Sequence, residues 1–149
     1  MSKNDQFNIF LSPRKMIHLD ESGWMGGIFC EELQESFFSP SGCWGRVEYL
    51  THWKAQLSNL LEDGSFAKLI TARRDFETSN FIPAWIIFDL GEDFALRNKY
   101  YFIDHDRTPT FESFMEERDE REIFNEDGML ISEWILSRVA IKNFLASLE

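Results

Sequence analysis

Apolar and polar residues alternate along most of this chain, and one stretch changes to a helical period. Phe7, Ile9 and Leu11 alternate with Asn8 and Phe10, a strand pattern that Ser12-Pro13 interrupts. Lys15 to Leu19 reads as a second short strand, closed by Asp20-Glu21-Ser22-Gly23. Trp24 to Leu33 reads as extended, with Gly26-Gly27 expected to weaken or bulge it, and Glu35 to Phe38 continues it. Ser39-Pro40-Ser41-Gly42 is a loop. Between Arg46 and Glu62 the period becomes helical. Leu50, Trp53, Leu57, Leu60 and Leu61 form the apolar stripe, while Lys54, Gln56 and Asn59 face water. Asp63-Gly64 ends this helix, with Gly64 suited to a left-handed cap.

Strand patterns then return. Ser65 to Ala72 carries Phe66, Leu69 and Ile70. FIPAWIIFDL, from Phe81 to Leu90, is short, β-branched and aromatic, and so reads as a buried strand. Gly91-Glu92-Asp93 turns it into Phe94 to Ile103 as an antiparallel hairpin. A polar segment follows, partly helical around Phe114 to Ile123, with a turn at Asn125-Glu126-Asp127-Gly128. Ile131 to Ser137 is the last strand, and Val139 to Leu148 is a C-terminal helix. Hairpin-length links rather than βαβ crossovers predict an α+β fold. In it, one mainly antiparallel sheet carries the long helix on a face and ends in the short helix. The length of 149 residues, with no repeat or dividing linker, predicts a single domain over residues 1–149.

Hydrophobic residues make up 44% of the chain, with 15 Phe and 5 Trp, which is enough for a packed core. No apolar run approaches the roughly 20 residues needed to span a bilayer. MSKNDQFNIF lacks the features of a signal peptide. The expected location is the cytoplasm, with no membrane partner. Cys30 and Cys43 match no zinc or CxxC pattern and are expected to be free, buried thiols.

Charge changes the picture more. The chain has 26 acids against 15 Lys and Arg, a formal charge of -11. That disfavours direct nucleic-acid binding, which needs clustered cations. The densest run, ESFMEERDEREIFNED from Glu112 to Asp127, holds eight acids and two arginines. A run of this kind is either a solvated loop or a negative surface for a basic partner. Other acids group as Glu31, Glu32 and Glu35, as Asp89, Glu92 and Asp93, and as Asp104 and Asp106. The partner-binding candidates are Glu92, Asp93, Asp104, Asp106, Glu112, Glu116, Glu117, Asp119, Glu120 and Glu122. They flank the strands of one predicted hairpin and are expected to gather at one end of the sheet.

No motif for catalysis or for a cofactor appears: GxSxG, P-loop, GxGxxG and HExxH are all missing. Asp104-His105-Asp106 reads as a turn rather than a metal site, and His52 as a surface or boundary residue. The chain is therefore read as a non-enzyme without metal or cofactor. A small hydrolase using carboxylates or a Cys–His pair, and a generic acidic adaptor, remain as other readings.

Four stretches carry a family resemblance: GGIFCEELQESFFSP, YLTHWKAQLSNLLEDGSFAKLITA, NFIPAWIIFDLGEDFALRNKYYF and EDGMLISEWILSRVAIKNFL. The features in order are E-x-F at Glu35 to Phe37, a W-x-x-x-L-x-x-L-L helix from Trp53 to Leu61, L-I-T at Leu69 to Thr71, a Trp-bearing hairpin from Trp85 to Phe102, and G-x-x-I-S-E-W from Gly128 to Trp134. Together they resemble immunity proteins of bacterial contact-dependent growth inhibition (CDI) systems, over roughly Gly26 to Leu145. The polar N-terminal segment and the long acidic insert depart from that pattern. The resemblance implies a cytosolic protein that binds and neutralises the C-terminal toxin domain of its own system, often a basic nuclease.

Overall fold

The computed structural model describes residues 6–30, 32–62 and 64–148. The architecture is α+β, built from two four-stranded antiparallel sheets instead of one. In the first sheet, β3 (Glu21–Cys30) is central. Along one edge it pairs end to end with β1 (Phe7–Leu11) and β2 (Met16–His18), and along the other with β4 (Leu33–Pro40).

The chain reverses at one place slightly earlier than the sequence reading put the turn, and at another where that reading ran on. Leu19 and Asp20 both have positive φ, 49° and 68°, and join β2 to β3 across the His18↔Glu21 pair. Two consecutive left-handed residues are the requirement of a type I′ hairpin. Glu21 to Gly23 therefore belong to the strand and not to the turn. The second reversal lies between Cys30 and Leu33, which face each other in the ladder. Gly26 does not bulge β3. A Cβ there would lie 2.4 Å from the Phe10 carbonyl oxygen, so glycine permits close strand contact.

Helix α1 (Arg46–Glu62) joins the two sheets. Trp53, Leu57 and Leu60 are buried as the stripe predicts, but Leu50 and Leu61 are only half-buried. Tyr49 takes the innermost place. Its hydroxyl donates to the Pro40 carbonyl at 2.7 Å and accepts from the Arg73 N–H at 2.9 Å. Burial pushes that hydroxyl up to about 12. Gly64 ends the helix without the left-handed conformation. Its N–H reaches back to the Asn59 carbonyl at 2.8 Å, and a Cβ would clash with that oxygen.

The second sheet runs β5 (Phe66–Ile70), β6 (Phe81–Asp89), β7 (Asp93–Phe102), β8 (Trp134–Ser137). Alternation gives it two buried faces. On the front, Leu69, Trp85, Ile87, Phe94, Leu96 and Leu136 join α1, the first sheet and α3 (Arg138–Ser147) in one core. On the back, Phe66, Ile70, Ile82, Ile86, Phe88 and Tyr101 form a separate cluster. α1 also seals the β5 edge: Gln56 accepts the Lys68 N–H at 3.0 Å, and His52 Nε2 accepts the Ile70 N–H at 2.9 Å. An unpaired edge invites strand addition, and these side chains occupy it. The role requires neutral His52, and burial holds its pKa down to about 4.

Residues 104–133 form a long excursion between β7 and β8. α2 (Phe111–Glu116) starts it, earlier than the predicted helix, because Thr110 and Ser113 build a capping box. The helix stops at Glu116, and no helix runs on to Ile123. β8 begins only at Trp134, because Glu133 turns to Arg97 instead of joining the ladder. Ser137 caps α3 by accepting the Ala140 N–H. Cys30 is buried, but Cys43 is exposed, since it lies in the turn after β4; the two are not joined by a disulfide.

Candidate functional site

The back of the second sheet carries cations among its apolar residues. Lys68, Arg97 and Lys99 alternate with front-facing residues, and Lys68 is only 2% exposed. A buried charge is costly unless it is paired and hydrogen-bonded. The 104–133 segment supplies the partners. Lys68 Nζ donates to the carbonyls of Phe114 at 2.8 Å and Glu117 at 3.0 Å. It also lies over the Phe114 ring at 4.1 Å. Burial pushes its pKa down to about 8, against the opposing pull of Asp119 and Glu117. Lys99 pairs with Asp119 at 2.5 Å, and Arg107 with Glu117 at 2.8 Å.

Glu133 joins two arginines. Arg97 reaches it at 2.9 Å, and Arg121 binds its other oxygen. Burial would raise this carboxyl, but the two guanidinium groups together carry it below its ordinary value. The Tyr101 hydroxyl is pushed well above its usual range by burial, and the Asp119 carboxylate adds to that.

Between the 104–133 segment and β7 lies a groove of about 760 Å³. Of the predicted site acids, Asp104, Glu117, Asp119, Glu120 and Glu122 line it. Glu112, Glu116 and Asp106 are exposed outside it, with Glu116 beside a smaller hollow near Gly64. Glu92 and Asp93 lie elsewhere. They open β7, whereas Asp104 and Asp106 follow its end, about 30 Å away at ~3.4 Å per strand residue. The hairpin acids therefore do not share one end of the sheet with the others. An extended ten-residue strand separates its two termini.

Two predicted site acids are already engaged inside the protein. Glu117 and Asp119 are half-buried and paired, whereas Glu120 and Glu122 are exposed and form no ion pair among the described residues. Sequence reasoning missed the cations beneath them. Lys68 within FAKLI, and Arg97 and Lys99 in step with Ala95 and Tyr101, place charge on one face of a buried strand. That period-two pattern was the available signal.

His105 is tied into the fold by its Nε2–H, which donates to the Phe76 carbonyl at 2.9 Å. Among the described residues no cluster of His, Cys, Asp and Glu has the arrangement of a metal site. No helix among them is long and apolar enough to cross a membrane.

A family model described as the CdiI N-terminal domain matches residues 39–144, a span that includes the whole back-face segment. The chain belongs to that family, the immunity proteins of CDI systems. Immunity protein CdiI of Enterobacter cloacae subsp. cloacae is 24% identical over 143 residues, covering 96% of this chain and 99% of that protein. A solved structure described as the CdiA-CT/CdiI toxin and immunity complex from Enterobacter cloacae contains a chain with the same fold. The match has a TM-score of 0.79 at 21% identity, over 96% of this immunity protein and 98% of that chain.

Proposed function

We propose that this immunity protein neutralises the C-terminal toxin domain of its own CDI system by stoichiometric binding in the cytoplasm, without catalysis. The observation that carries the reading is the charge left over at the groove. Asp119, Glu133 and Glu117 match Lys99, Arg97 and Arg107. Asp104, Glu120, Glu122 and Glu126 remain exposed without an ion pair among the described residues, and Arg118 is the one exposed groove cation without a carboxylate among them. The similar fold in a toxin and immunity complex supports a toxin as the partner.

The partner that suits such a surface is a basic nuclease domain. A nuclease groove is positive because it binds phosphates. Carboxylates presented there occupy the same potential and speed encounter through long-range attraction. Glu116 and Glu112, exposed on α2, extend the field beyond the groove. Glu92 and Asp93, at the far end of β7, contribute least.

Co-expression with the neighbouring toxin gene should restore growth, and the two proteins should co-purify in equimolar amounts. A purified pair that forms no complex at micromolar concentration would overturn the reading.

A further inference from the structure

The second sheet closes one side and leaves part of the other open. α1 seals the β5 edge with Gln56 and His52. On the opposite side, β8 covers only the first half of β7. The ladder runs Asp93↔Ser137, Phe94↔Leu136, Ala95↔Ile135 and Leu96↔Trp134, and there it stops. Glu133, next in register, gives its carboxylate to Arg97 and Arg121 instead. From Arg97 to Phe102, β7 pairs with β6 alone.

Successive residues of an antiparallel strand send their backbone groups to opposite sides. The Ile103 N–H donates to the Asn80 carbonyl on the β6 side, and the Asp93 carbonyl accepts there from the Leu90 N–H. The odd-numbered residues of β7 therefore bond β6, and the even-numbered ones face away from it. Asn98, Tyr100 and Phe102 thus present their N–H and C=O groups on the uncovered edge, where they have no backbone partner among the described residues. All three are exposed. Such a row is a template for another strand unless proline, a bulge or a free charge blunts it. This edge has no proline, and its register with β6 runs unbroken. Its cation, Lys99, is already paired with Asp119.

The two faces beside the edge differ in chemistry. On the back lies the acidic groove, which Asn98 and Phe102 line together with Asp104, Glu120 and Glu122. The front is the face of Phe94 and Leu96, and beyond the core it carries Tyr100, 64% exposed, and Phe102, 79% exposed. Phe102 is stacked on Phe81 across the ladder, with ring centroids 4.7 Å apart. A strand laid along the edge sends alternate side chains to these two faces. Those on the back meet carboxylates, and those on the front meet aromatic rings.

We propose that the toxin adds an extended segment to β7 along Asn98 to Phe102, and that this segment alternates basic and apolar residues. This rests on the toxin-binding reading above and names the mode of contact. Main-chain hydrogen bonds to the edge supply affinity, and the two faces select the sequence. A folded basic surface without an extended segment would meet the carboxylates but leave the edge unbonded.

Amide hydrogen exchange, resolved by residue in the full-length protein with and without its purified toxin domain, tests this. In the free protein the Asn98, Tyr100 and Phe102 amides should exchange fast, while β6 protects those of Lys99 and Tyr101. In the complex the first three should slow by about tenfold or more. On the toxin, the newly protected amides should fall in one stretch whose side chains alternate basic and apolar. A complex that forms without slowing these three amides would overturn strand addition. A protected toxin stretch of any other pattern would overturn the stated occupant. Binding kinetics give an independent check, because Tyr100→Pro removes the edge-facing N–H and Tyr100→Ala keeps it. Tyr100→Pro should weaken binding about tenfold more than Tyr100→Ala does. Equal losses in two folded variants would overturn the edge bond. Exchange needs no variant, so it decides the matter whatever Tyr100→Pro does to folding. Failure of the parent to bind the toxin at all would instead remove the toxin-binding reading, and strand addition with it.

Discussion

The two faces of the second sheet bury similar kinds of strand residue by different means. The front closes on shape: Leu69, Trp85, Ile87, Phe94 and Leu96 meet Trp53 and Leu57 of α1 in one apolar core. The back closes partly on charge, because Lys68, Arg97 and Lys99 stand among its apolar residues. Its cover therefore had to bring carboxylates and carbonyls as well as Phe114. The acidic segment thus has two sides. Asp119, Glu117 and Glu133 neutralise internal cations. Glu116, Glu120 and Glu122 face outward. High local charge is then no single signal, since part of it holds the fold together and only the remainder is free to meet a partner.

Truncating the front should have the largest effect. Leu57→Ala should lower unfolding free energy by about 2–5 kcal/mol, measured by denaturant titration. A variant as stable as the parent would show that α1 does not close that face.

The pH dependence of the front comes next. His52 is held neutral, with its pKa lowered from 6.5 to about 4. Between those values the unfolded chain binds a proton that the folded one refuses, so stability falls as pH falls. The contribution is fully present above pH ~6.5 and is lost by about pH 4, a change on the order of 3 kcal/mol. His52→Gln, which does not titrate, should flatten that part of the stability profile.

On the back, Glu133→Gln leaves the nearly buried Arg97 guanidinium without its carboxylate. Stability should drop by about 1–3 kcal/mol at neutral pH. Because the folded carboxyl lies below its ordinary value, the parent should lose this advantage as pH falls below that value, and the two stability curves should converge in acid. Curves that ran parallel down to low pH would show that the Glu133 charge does not hold the back face.

The smallest effect on stability belongs to the outward acids. Reversing Glu116, Glu120 and Glu122 to Lys should change unfolding free energy by no more than about 0.5 kcal/mol. Association with the toxin should nevertheless slow. The parent's association rate should fall steeply between about 0.1 and 1 M salt, as the screening length shortens from ~10 to ~3 Å.

The front of the molecule was largely legible in the sequence, because period alone carries it. The Trp53, Leu57, Leu60 stripe and the Phe81–Phe102 hairpin each declare a face through residue type. Tyr49 escaped because its hydroxyl, which serves the Pro40 carbonyl, gives it a polar reading. The two-sheet split escaped because the reversal between Cys30 and Leu33 uses charged residues rather than Gly or Pro, and the turn at Leu19-Asp20 reads late because Ser22-Gly23 carry the usual turn residues. The acidic segment was legible only as charge. Which acids turn inward depends on Lys68, Arg97 and Lys99, which are brought beneath them from strands far away in sequence. The grouping of Glu92 and Asp93 with Asp104 and Asp106 failed for a simpler reason: a hairpin strand ten residues long separates its ends.

The division of the acidic segment into an inward and an outward set is tested most directly by one paired measurement. Toxin affinity and melting temperature are determined side by side for Glu120→Lys/Glu122→Lys and for Asp119→Asn/Glu133→Gln. The outward pair should lose affinity, chiefly through slower association, at an unchanged melting temperature. The inward pair should melt lower yet bind with near-parental affinity while folded. An outward pair that binds the toxin as the parent does would contradict the account.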